Sequence, residues 1–232
     1  MQTFGFSRQP LAILEYATTL SRVDPATKEC LARYVRSVCA GTFKQERYRT
    51  DINPHLRQLE QVNPSFFTEW KKGQTIQIEK NLTLVDTDDP YDLLLCGTEG
   101  EQTCQHIKRD SFYSKSLLGY LMNGGIRMIA YKKESLQARA ILRILWKNRQ
   151  PVLFLEKLYG PYKYHRGIEA FAKERAKQLK MDLYQLEGND ELNKTELHSL
   201  KGAVPWEHSD GIQAISPYGQ FKLKASLLFK YS

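Results

Sequence analysis

The run from Ala138 to Glu187 constrains the fold more than any other part of the chain. Residues 138–146 are apolar apart from Arg139 and Arg143; a polar turn follows; residues 151–159 are apolar again apart from Glu156 and Lys157. Gly160 to Gly167 read as a loop. Residues 167–180 carry Ile168, Phe171, Ala172, Ala176 and Leu179 on one helical stripe, with Glu early and Lys late, as the helix dipole prefers. Residues 182–187 read as a strand. The order is therefore strand, turn, strand, loop, helix, strand, with the helix as a crossover between the last two strands. Ligands in such units gather at loops that follow strand ends and open helices, so a site is expected to touch this stretch. Alternation in the first strand puts Ala138, Ala140, Leu142 and Ile144 on one face and Arg139, Ile141, Arg143 and Leu145 on the other.

Upstream, residues 1–73 read as short helices with repeated start signals. Asp24-Pro25, Asn53-Pro54 and Asn63-Pro64 each set a capping side chain before a proline that fits the first helical turn. Gly41 and Gly73 are placed as stops. Past Gly73 the pattern changes. Residues 75–79 and 82–85 alternate as a hairpin, and Tyr91 to Leu95 read as a short strand. Residues 116–122 read as a helix and 126–131 as a strand. Residues 192–201 read as a short helix, and the tail from Gly211 as two strands around Pro217 to Gly219. The expected organisation is a helical extension over 1–73 and an α/β (α+β) domain over 74–232.

Composition narrows the function classes. Hydrophobic residues make up 41% and charged residues 26%, ordinary globular usage that argues against a disordered chain. No apolar run approaches the roughly 18 residues of a membrane span. Residues 1–10 lack the layout of a secretory signal peptide, so a cytoplasmic protein is expected, with delivery elsewhere only through some other signal. The net charge of +8 favours acidic partners such as phosphorylated cofactors, anionic lipid or nucleic acid, but it is spread along the chain without a basic block. The four cysteines, Cys30, Cys39, Cys96 and Cys104, form no C-x-x-C pair and fit reduced thiols. Cys30 and Cys39 lie in an apolar stripe and read as core thiols.

The element order from Gly73 resembles that of the Gcn5-related N-acetyltransferase fold. There the fourth strand is followed by a phosphate-cradling loop, a helix and the fifth strand. Residues 152–158, 159–166, 167–180 and 182–187 take those places, and Gly167 stands for the loop's first glycine. The resemblance implies that acetyl-CoA binds along Tyr159, Gly160, His165, Arg166 and Gly167. It also implies acyl transfer to an amine on a protein or other macromolecule. Residues 86–98, 104–105, 117–122, 138–146, 151–159 and 197–206 also look like an uncharacterised domain of effector-like proteins from intracellular bacteria, which implies a host-directed role.

Three constellations carry candidate chemistry. Glu156 interrupts an apolar strand; in an acetyltransferase-like sheet it would serve as general base, with Tyr184 as the other proton handler. The same Glu156 would equally form a salt bridge with Arg139 or Arg143. Cys104, in a polar segment after a strand, would be a nucleophile if that segment opens a helix and a histidine reaches it, the candidates being His165, His198 and His208. That defines an alternative, a cysteine-dependent hydrolase or transferase. A run C-x7-C-x-H at Cys96, Cys104 and His106 matches no structural zinc spacing, and no metal is expected. The second alternative is a non-catalytic binding module on the same sheet. The run Trp206 to His208, with Asp210, is polar enough to border a cleft.

Overall fold

The computed structural model describes residues 59–61, 64–97, 103–105, 113, 116–186, 194–199, 207–212 and 220–231. The helices expected before residue 59, Cys30 and Cys39, and most of the first tail strand lie outside these residues.

The described chain is a mixed α/β structure built on one eight-stranded sheet. Its elements are α1 (Pro64–Lys71), β1 (Gln74–Glu79), β2 (Leu82–Thr87), α2 (Pro90–Leu95), α3 (Ser116–Met122), β3 (Ile126–Lys132), β4 (Leu136–Lys147), β5 (Gln150–Leu155), α4 (His165–Leu179), β6 (Leu183–Gln185), β7 (Thr195–His198) and β8 (Lys222–Phe229). A 3-10 turn, Tyr162–Tyr164, leads into α4. The strand order is β1-β2-β3-β4-β5-β6-β8-β7. Only β5 and β6 pair in parallel, because α4 carries the chain back between them.

The long strand β4 serves two neighbours along one edge. Ile126 to Lys132 of β3 occupy its first part, and His198 of β7 bridges to Trp146 near its end. That bridge closes β4, β5, β6, β8 and β7 into a five-stranded barrel, with β3, β2 and β1 running on as a flap of the same sheet. Helix α4 covers the outer face, where Ile168, Phe171, Ala172, Ala176 and Leu179 join Ala140, Leu142, Ile144, Leu153, Leu155 and Leu183. The opposite face of those strands must then fill the barrel. It supplies Leu145, Val152, Phe154, Tyr184, Leu197, Phe221, Leu223 and Ala225 as a separate cluster. Helices α2 and α3 cover the inner side of the flap through Leu93, Leu94, Leu117, Tyr120 and Leu121. Helix α1 joins the α4 core through Phe66, Phe67 and Trp70, and the Trp70 indole donates to the Gly124 carbonyl at 2.8 Å.

A buried ion triad ties the layers together. Asp86 of β2 lies between Arg127 of β3 and Arg175 of α4, all three almost wholly buried. The Arg175 Nε sits 2.8 Å from the carboxylate but out of line for a hydrogen bond, so that contact is chiefly coulombic.

Three expectations are corrected. Residues 90–95 form a helix, not a strand. The run is too short for periodicity to separate the two, and the Asp89 carboxylate and Pro90 favour a helical start. Residues 195–198 form strand β7, not a helix, because they pair with β8 from Thr195↔Ala225 to His198↔Lys222. Strand β5 ends at Leu155, and residues 156–159 leave β6 while staying on β4. Leu142 faces Leu155 and Arg139 faces Tyr159, so three steps on β4 match four on the other side. One extra residue is therefore bulged out at Glu156 to Leu158.

Candidate functional site

The site lies where β5 ends. Glu156 keeps the strand's register, its amide donating to the Ile141 carbonyl at 2.9 Å, so alternation from Phe154 points it inward just beyond the last parallel pair Leu155↔Gln185. The Glu156 carboxylate receives the Arg143 Nε at 2.7 Å and the Tyr120 hydroxyl at 3.4 Å. Arg143 spends its other donors on Glu207 at 2.7 Å and on the His208 carbonyl at 2.6 Å. Asn123, at the end of α3, donates to the same Glu207 oxygen at 2.6 Å. All of these side chains are almost wholly buried. One arginine thus serves two buried carboxylates. Burial is the largest influence on both and pushes each up to about 7, while Arg143 pulls them back down. Of the two sequence readings of Glu156, the salt bridge is present and Arg143, not Arg139, is its partner. Arg139 instead donates to the Cys96 carbonyl and lies over the Tyr159 ring.

A second cluster borders the first. Residues 103–105 form a turn fixed by Gln105, whose side chain donates to Ser116 at 2.7 Å. The turn presents Cys104 at the surface. Its Sγ lies 3.6 Å from the Nε2 of His208. Of the three candidate histidines, the fold brings His208 to Cys104. His198 sits in β7, and His165 contacts the Gly160 carbonyl at 2.9 Å. Asp210 is the third member: one sulfur, one ring nitrogen and one carboxylate oxygen all lie within 4.8 Å of one another. Tyr159 donates its hydroxyl to Asp210 at 2.8 Å, and the Tyr113 ring packs on His208 with centroids 4.5 Å apart. Burial raises the Cys104 thiol pKa, and the nearby Asp210 charge raises it further. Burial and Asp210 also push Tyr159 far up, so its hydroxyl stays protonated and donating.

The loop ahead of α4 is tightly packed. Gly160 has φ of 105°, and a side chain there would strike the backbone of Gln137 and Ala138. Gly167 packs against the Tyr131 hydroxyl, and Tyr164 lies on the Tyr131 ring at 4.7 Å. The amides of Tyr164 and His165 are taken by the carbonyls of Pro161 and Tyr162. Arg166 is exposed, and no acid lies in the first turn of α4. For the phosphates of acetyl-CoA the charge therefore fits, whereas these two amides do not offer a cradle. Tyr184 faces the barrel interior, and its hydroxyl accepts from Lys147 at 2.8 Å. Tyr120 and Asn123 were not legible as site residues, because one sits in a short apolar helix and the other just past its end, where an asparagine reads as a stop.

Among the described residues no helix is long and apolar enough to cross a membrane. No family model matches the chain, and neither a curated protein nor a solved structure matches it.

Proposed function

We propose that the chain transfers an acyl group from a thioester such as acetyl-CoA to an amine on a macromolecule, using the parting of β5 and β6 as its site. One observation carries this reading: the one parallel pair among the described strands, joined through α4, ends at Leu155↔Gln185, and the next residue of the chain after Leu155 is the buried carboxylate Glu156. The parallel crossover through α4 supports the same reading, although the far strands close back on β4. The thioester supplies an activated acyl carbonyl. Lys163 and Arg166, both exposed at the start of α4, would hold the donor's phosphates by charge. Glu156, with its carboxyl near neutrality, suits removal of a proton from an amine at physiological pH. Arg143 and Tyr120 hold that carboxyl in place. The resemblance to effector-like domains would put the acceptor among host macromolecules.

The test is direct. Millimolar acetyl-CoA should raise the melting temperature of the full chain, and the double variant Lys163→Ala/Arg166→Ala should weaken that shift. Mass spectrometry of a lysine-peptide mixture should reveal acylated products. Glu156→Gln should lower their rate by on the order of 10²-fold without changing donor binding. Absence of any thermal shift at millimolar donor would remove the reading.

A further inference from the structure

We infer that Cys104, His208 and Asp210 form a binding site for a single divalent zinc ion, held by three protein ligands with the fourth position open to solvent. The sequence hides this site, because Cys104 and His208 are 104 residues apart and no ligand-spacing motif joins them.

Geometry is the first support. Zinc bonds of about 2.3 Å to sulfur and about 2.05 Å to nitrogen at a tetrahedral angle set the two ligand atoms roughly 3.6 Å apart. The Cys104 Sγ to His208 Nε2 distance is 3.6 Å. A thiol hydrogen bond would give a similar distance, so the position of Asp210 decides. In a nucleophile–base–carboxylate relay the carboxylate engages the ring nitrogen that faces away from the nucleophile. Asp210 instead lies within 4.8 Å of the sulfur as well as of the ring, so the three atoms form a triangle around one point. Thiolate, imidazole and carboxylate together are a donor set for zinc rather than for magnesium or calcium.

The surroundings are the second support. Each ligand is positioned by a further residue, as metal ligands are. Gln105 ties the Cys104 turn to Ser116 at 2.7 Å. Arg143 fixes the His208 backbone at 2.6 Å. Tyr159 donates to Asp210 at 2.8 Å, which orients the carboxylate. Among the nearby cations, Arg143 is already engaged by Glu156 and Glu207, and Arg139 by the Cys96 carbonyl and the Tyr159 ring. A divalent ion would offset the repulsion between Asp210 and a Cys104 thiolate. His208 is buried and Cys104 exposed, so an ion can reach the cluster from the side of the sulfur.

The full chain, stripped with a chelator and titrated with zinc, should take up one ion that is lost in Cys104→Ser. Competition with a chromophoric chelator should show at least a tenfold weaker affinity in Asp210→Asn and about a tenfold loss in Tyr159→Phe. Cys96→Ser is the control and should bind as the parent does. Cobalt in place of zinc should give the intense near-ultraviolet band of a thiolate ligand, and this readout needs no variant to fold. Zinc should also protect Cys104 from iodoacetamide. A parent chain without the cobalt–sulfur band, or zinc uptake unchanged in both Cys104→Ser and Asp210→Asn, would overturn the site. Acyl transfer and zinc binding fail separately: acetyl-CoA titration reports the first, and metal titration reports the second.

Discussion

Glu207→Gln should flatten the dependence of stability on pH. Glu207 and Glu156 share Arg143, and burial raises each carboxyl from 4.5 to about 7. Between those values the unfolded chain has released a proton that the folded chain still holds. Stability from each group is therefore complete below pH 4.5 and is lost as pH rises through 7. A shift of 2.5 units at 1.36 kcal/mol per unit corresponds to about 3 kcal/mol for Glu207 taken alone. Glutamine is neutral in both states and keeps the oxygen that accepts from Asn123 and Arg143. Glu156 would then have Arg143 to itself, and its own shift should shrink. Urea unfolding at pH 5, 6, 7 and 8 should show parent stability falling steeply across the range, while the variant falls by less than half as much and overtakes the parent at pH 8. Parallel curves for the two proteins would refute the shared-arginine account.

Other perturbations test the frame. Gly160→Ala should lower stability by several kcal/mol, on the order of a strained backbone plus a steric clash, since its new Cβ would lie 2.6 Å from the Gln137 carbonyl at a φ of 105°; an unchanged melting temperature would show that the loop is free to shift. Arg175→Met should cost about 3 kcal/mol or more in urea unfolding, because Asp86 keeps its burial but loses one of its two arginines. Trp70→Phe keeps most of the apolar contact yet leaves the Gly124 carbonyl without its indole donor, and about 1 kcal/mol should be lost.

How far the sequence foretold this structure depended on whether a segment's neighbours were close in the chain. The hairpin of β1 and β2, the faces of β4 and the stripe of α4 follow from local periodicity, and the helix expected over residues 116–122 matches α3 in its bounds. Residues 195–198 could not be read, since four residues hold no period and their strand character comes from β8, more than twenty residues on. The apolar run of α2 is equally short. Glu156 stood out because a carboxylate in an apolar strand needs a partner, and both candidate arginines were visible on β4. Which arginine it took depended on tertiary partners: Arg139 is occupied by the Cys96 carbonyl and the Tyr159 ring, and Arg143 meets Glu156. Cys104 stood out as well, but choosing among three histidines requires the barrel to be closed first.

The closure at Trp146 and His198 has a consequence for association. An open eight-stranded sheet exposes two unpaired margins, each a template for another chain's strand. Here one margin has been folded back on β4, so β1 is the outer margin that remains among the described residues. It carries Ile76 and Ile78 about half exposed, and its register breaks between Gln77 and Glu79. That irregularity and the charges of Glu79 and Lys80 blunt the margin at which a further strand would add to the described sheet.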